Sequence, residues 1–183
     1  MKRRDFIAGL TGVTFAPGIP EGLARTEINL PVMKIENASL QNKIEEENVR
    51  YEWGHSEERM HSRLQAPTEG WIAVGFNSQR KLKGTRFVIA ETSSFPVRVE
   101  EHIALVPDHQ KVQDLDLLKT VDDVSGSYEN GTSKLCFSLP HLFSDQPGLI
   151  LTPNTQIYIM LAWSLAGEFN HHSAWRRHYV RSA

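Results

Sequence analysis

The chain has 183 residues, of which 40% are hydrophobic and 23% charged, the size and composition of one soluble globular domain with some chain to spare. Its net charge of -2 argues against a nucleic-acid partner, whose phosphates call for a basic surface. No stretch approaches the ~20 apolar residues of a membrane-spanning helix, and the single cysteine, Cys136, excludes an intrachain disulfide and reads as a small core residue.

The first residues carry an address rather than a fold. Met1-Lys2-Arg3-Arg4-Asp5-Phe6-Ile7 resembles a twin-arginine export signal, and a mildly apolar stretch from Ile7 to Ile19 follows. Gly22-Leu23-Ala24 then offers the small residues that a signal peptidase reads. Residues 1–24 are therefore expected to be a signal peptide, and the mature protein to be periplasmic or extracellular. That route carries folded proteins and is often used by those that load a cofactor before leaving the cytoplasm.

Residues 25–183 are expected to form one domain, and the pattern there has period two. Ile28, Leu30, Val32 and Ile35 suggest a first strand. Val49, Tyr51 and Trp53 alternate with charged residues, and Met60, Ser62 and Leu64 alternate with His61 and Arg63. Trp71 to Phe76 and Phe87 to Ala90 are apolar on both sides, as in strands buried on both faces. Val97 and Val99 alternate with Arg98 and Glu100, the half-solvated pattern. A short helix is predicted over Val112 to Lys119. Asn130-Gly131 between apolar runs predicts a hairpin, because both turn positions need positive φ. Leu135, Phe137 and Leu139 make the returning strand; Ile157 to Trp163 and His172 to Val180 complete the series. Roughly nine to ten short strands with turns every 8–12 residues give an all-β, antiparallel, immunoglobulin-like β-sandwich.

Several elements recur in order along this chain. The run Ala66-Pro67-Thr68-Glu69-Gly70-Trp71-Ile72-Ala73-Val74-Gly75-Phe76-Asn77 is followed by Leu82-Lys83-Gly84-Thr85 and the strand Phe87-Val88-Ile89-Ala90. Asp108-His109, the Gly126 to Gly131 hairpin, Ala162-Trp163-Ser164 and His171-His172-Ser173-Ala174-Trp175-Arg176 come later. The set resembles the DOMON family of extracytoplasmic sandwiches, whose better-understood members hold a b-type haem or a sugar.

The resemblance implies a haem b-binding redox or sensing module that works with a redox partner protein and is not an enzyme by itself. In haem-binding relatives the iron lies between a methionine from the loop after the Gly-Trp strand and a histidine near the C-terminus, a pair suited to one-electron transfer. His172 is the first choice for the proximal iron ligand and His171 the second, since neighbours on a strand face opposite sides. The methionine position corresponds to Leu82, which has no donor atom. Trp71 is placed beside the haem, and Arg176 or Arg177 is placed to pair with a propionate. Met60, Met160, His102 and His109 remain open as a sixth ligand, as does five-coordinate iron on His172 alone.

Other chemistries find less support. No Gly-x-Ser-x-Gly, His-Glu-x-x-His or phosphate-cradling glycine loop occurs. Glu100-Glu101 and Asp122-Asp123 read as solvated pairs, and His55, His61, His141 and His178 as surface or supporting imidazoles. The alternative function is carbohydrate binding through Trp53, Trp163 or Trp175, or an accessory domain that works by protein contacts alone.

Overall fold

The computed structural model describes residues 40–106, 108–170 and 172–183. The export signal, the strand expected over residues 28–35 and His171 lie outside the described residues.

Among the described residues eleven strands form two antiparallel sheets; the expected nine to ten had included the strand over residues 28–35, which is not among them. The five-stranded sheet contains β1 (Asn42–Glu46), β2 (Val49–His55), β3 (Arg59–Ala66), β8 (Asp122–Glu129) and β9 (Thr132–Pro140), in the order β1-β2-β3-β9-β8. The six-stranded sheet contains β4 (Trp71–Asn77), β5 (Arg86–Glu91), β6 (Arg98–Ala104), β7 (His109–Lys111), β10 (Gln156–Trp163) and β11 (Trp175–Ser182), in the order β11-β10-β4-β5-β6-β7. β1 and β7 escaped the sequence pattern because they are short and polar: Ile44 is the one apolar residue in the first, and the second has none. The expected helix shrinks to a 3-10 turn, Gln113–Leu115, ended by Asp116 in the left-handed region at φ 58°. The hairpin between β8 and β9 turns on Asn130 (φ 51°) and Gly131 (φ 79°), as the dipeptide predicts.

The main core lies between the sheets. β3 alternates between half-buried and buried residues, putting Met60, Ser62 and Leu64 inside. From the facing sheet come Ile72, Val74 and Phe76 of β4 and Ile157, Ile159 and Leu161 of β10. Tyr51 and Trp53 stack with ring centroids 5.2 Å apart, and the Tyr51 hydroxyl and Ser62 Oγ share a hydrogen bond of 2.9 Å. Cys136 is half-buried rather than core, because its neighbours Leu135 and Phe137 take the inward positions of β9.

One expectation about charge is overturned. Glu101 is fully buried, not solvated, because it meets Arg86 from the next strand, only 1% exposed. Arg86 Nε donates to Glu101 Oε1 at 2.8 Å, Nη1 to both oxygens of Asp145 at 3.0 and 3.1 Å, and Nη2 to the Leu118 carbonyl at 2.9 Å. Glu101 Oε2 also accepts the backbone N–H groups of Thr120 and Val121. Burying two charges is tolerable only when each is paired and its remaining hydrogen bonds are made, which is the case here. Its partner in sequence, Glu100, is half-buried and points to the other face of the sheet, as alternation requires.

Candidate cofactor pocket on the outer face of the six-stranded sheet

A sandwich sheet ordinarily turns polar residues outward. The six-stranded sheet departs from that rule at its centre. The outward positions of its central strands are Trp71, Ala73 and Gly75 on β4, Phe87 and Ile89 on β5, and Met160 and Ala162 on β10. All of these but Gly75 form, with Ala104 and Phe169, a second buried cluster, separate from the main core, against which Leu82 packs. This accounts for the burial of all seven residues of β4. An outward apolar surface of this kind requires a cover, and two segments supply it.

The first cover is the loop between β4 and β5. It is organised by buried Asn77, whose Nδ2 donates to the carbonyls of Lys81 and Lys83 and to Thr85 Oγ1 at 2.9, 3.2 and 3.0 Å. The Gly84 N–H ties the loop to the Ala104 carbonyl at 2.8 Å, with Gly84 at φ 79°. The result is that Leu82 sits on the apolar surface.

The second cover is the segment between β10 and β11. Phe169 is buried on the sheet, with the Arg98 guanidinium 4.0 Å above its ring. Ser164 Oγ donates to the His172 carbonyl at 3.3 Å, and the Ala174 N–H donates to the Trp163 carbonyl at 2.9 Å. The final strand starts at Trp175, not at His172 as expected, because its pairing with β10 begins only at Trp175, opposite Trp163. The alternation argument for choosing between His171 and His172 therefore does not apply.

Between the two covers lies a pocket of about 140 Å³. Small side chains at Ala73, Ala104 and Ala162 floor it, and Trp71, Phe87, Ile89 and Met160 supply larger apolar walls. Its polar lining comes from His172, Arg176, Asp108, His109, Asn170 and Ser173. Gly75 underlies Phe87: a Cβ there would lie 2.4 Å from Phe87 Cε1, so the ring keeps its place only over glycine. Trp71 Nε1 is buried without a hydrogen-bond partner, an orphaned donor on the pocket wall.

A row of polar groups runs along the outer face to one side of the pocket. Alternation on β6 puts Glu100, His102 and Ala104 on that face, and β7 adds His109 opposite Ala104. Glu100 Oε2 bonds His102 Nε2 at 3.0 Å, and His102 Nδ1 bonds His109 Nδ1 at 2.8 Å. Arg98 and Lys111 also reach Glu100 Oε1, at 3.2 and 3.1 Å. Burial pushes the Glu100 carboxyl up, but the hydrogen bonds from His102, Lys111 and Arg98 together hold it below the usual carboxylate value. Burial of His102, which is 3% exposed, pulls its ring below the ordinary histidine value and outweighs the opposing pull of Glu100.

Of the residues singled out from sequence, the pocket brings together Trp71, Leu82, His109, Met160, His172 and Arg176. Met60 lies instead in the main core, where Trp53 is also buried and against which Trp163 and Trp175 pack. His178 is exposed on β11, and His55 pairs with His141 at 3.1 Å on the opposite sheet. Asp108, Asn170 and Ser173 were missed as lining residues, because loop positions carry no periodicity that would aim them.

No protein-family profile and no curated protein matches the chain by sequence. Among solved structures it is similar to the cytochrome b domain of pyranose dehydrogenase from Coprinopsis cinerea. The TM-score is 0.58 at 8% identity, over 76% of this chain and 80% of that one. That likeness shows the fold: the molecule is an all-β antiparallel sandwich similar to that of a cytochrome b domain.

Proposed function

We propose that this domain is an exported haem b-binding redox or sensing module of the DOMON type, and that it is not an enzyme by itself. The observation that carries the reading is the pocket: an apolar floor on the outer face of a sheet, with His172 and Arg176 on its lining. The donor set fits the group. A protein-only metal site needs about four donors, and no group of three or more metal-ligating residues occurs among the described residues. A porphyrin brings four nitrogens of its own and asks the protein for one or two axial ligands, a flat apolar surface and a partner for its carboxylates. Bound haem supplies one-electron transfer at a potential set by its axial ligands and surroundings.

The chain's residues have separable tasks in this reading. His172 would hold the iron through its imidazole, and Arg176 and the unpartnered Trp71 N–H are suited to the group's carboxylate oxygens. Ala73, Ala104 and Ala162 leave room for a planar group, while Leu82 and Phe87 exclude water from it. The free space of about 140 Å³ falls below the ~300–1,000 Å³ typical of ligand pockets, so binding a porphyrin would require the lining side chains to rearrange. The fold's likeness to a cytochrome b domain supports this reading. Carbohydrate binding is less favoured, because a sugar platform needs an aromatic face open to solvent and Trp53, Trp163 and Trp175 pack in or on the main core. The test is haemin titration of wild type and His172→Ala. Wild type develops a Soret band that the variant weakens or loses; equal binding by both would remove His172 from the site.

A further inference from the structure

We propose that His109 supplies the second axial nitrogen of this pocket, in place of the donor that Leu82 lacks, and that His102 and Glu100 fix the ring for that role. The proposal deepens the haem reading and rests on it. Two facts identify His109 independently of any family pattern. It lines the same pocket as His172, and its Nδ1 is already engaged, 2.8 Å from His102 Nδ1, so Nε2 is the nitrogen left to the pocket.

The hydrogen-bond chain fixes which way the His109 ring is turned. Glu100 receives Arg98, Lys111 and His102, and a carboxylate among three donors can only accept. His102 Nε2 therefore donates to it. With Nε2 committed to Glu100, Nδ1 is the His102 nitrogen that meets His109 Nδ1, 2.8 Å away. A hydrogen bond donated by His109 Nδ1 to His102 would leave His109 Nε2 as the acceptor nitrogen on the pocket side. A metal-binding imidazole is commonly prepared in this way: one ring nitrogen donates to an oriented partner while the other faces the metal. The three side chains are in line because residues 100 and 102 share a face of β6 and His109 stands diagonally opposite on β7.

The absorption and electron paramagnetic resonance spectra of full-length protein titrated with haemin test this. Wild type is expected to give six-coordinate, low-spin iron. His109→Ala turns it high-spin, and added imidazole restores the low-spin form; His109→Met keeps six-coordination with a raised potential, because a thioether replaces the imidazole. His102→Ala weakens haemin binding about 10–100-fold while wild-type-like circular dichroism shows that the sandwich persists. His178→Ala, an exposed imidazole on β11, leaves the spectrum unchanged. A His109→Ala protein that stays low-spin without added imidazole, or a five-coordinate wild type that binds haemin, overturns the proposal and leaves the haem reading standing. A wild type that takes up no haemin ends both.

Discussion

Arg86 and Glu101 illustrate how much a single residue's environment determines here. Each is satisfied by the other and by neighbouring backbone, so removing one leaves an uncompensated charge in the interior. Arg86→Met is expected to destabilise the domain by about 3–5 kcal/mol, read as a lower denaturant midpoint, and adding Glu101→Leu should recover part of the loss. A double variant no more stable than the single one would mean that the two charges do not act as a pair. Gly75 decides the pocket in a different way. Gly75→Ala forces the Phe87 ring from its place, and overpacking of this kind costs about 1–3 kcal/mol. The same change should weaken haemin uptake; a variant of wild-type stability and affinity would show that Phe87 has other positions open to it.

Among the elements, the two that cover the outer face enclose a pocket on the sheet. Phe169 anchors the segment that carries His172, under the Arg98 guanidinium. Phe169→Ala should cost about 3 kcal/mol and raise proteolysis between β10 and β11. Unchanged cleavage there would mean that the segment is held mainly by Ser164 and Trp163. The strands of the core were legible in the sequence because a two-residue period and an Asn-Gly turn act locally: β2, β3, β4, β5, β9 and β10 lie where the apolar residues predict. β1 and β7 were not, since their pairing partners rather than their own residues hold them in place. The site was legible in part. Leu82, Trp71, His172 and Arg176 were singled out by order along the chain, and they line one pocket. The Glu100–His102–His109 row was not read as a unit, although residues 100 and 102 already shared a face by alternation. What was missing was the register that sets β7 against β6, a long-range fact with no local signal.

For the whole molecule, the distribution of buried imidazoles predicts how stability depends on pH. Burial lowers His102, His55 and His141 below the ordinary value of 6.5, with the neighbouring imidazoles adding to the effect. Native rings therefore stay neutral where unfolded ones take a proton. Stability is fully present above about pH 6.5, falls as the pH drops below it, and stops falling from this cause once the native rings also protonate. The melting temperature should therefore decline between pH 7.5 and pH 5, and His102→Gln should flatten that decline. A melting temperature independent of pH over this range would contradict the buried, neutral assignment.

The molecule as a whole has two apolar layers, the core between the sheets and the covered outer face of one of them. Among the described residues no helix is long and apolar enough to cross a membrane. The second apolar layer adds buried area of its own, and binding is the further use proposed for it. The most direct measurement is the visible spectrum of the protein purified after export from a haem-sufficient host. The account predicts a coloured protein with a Soret band that sharpens and shifts on reduction by dithionite. A colourless protein that also fails to take up added haemin would contradict it.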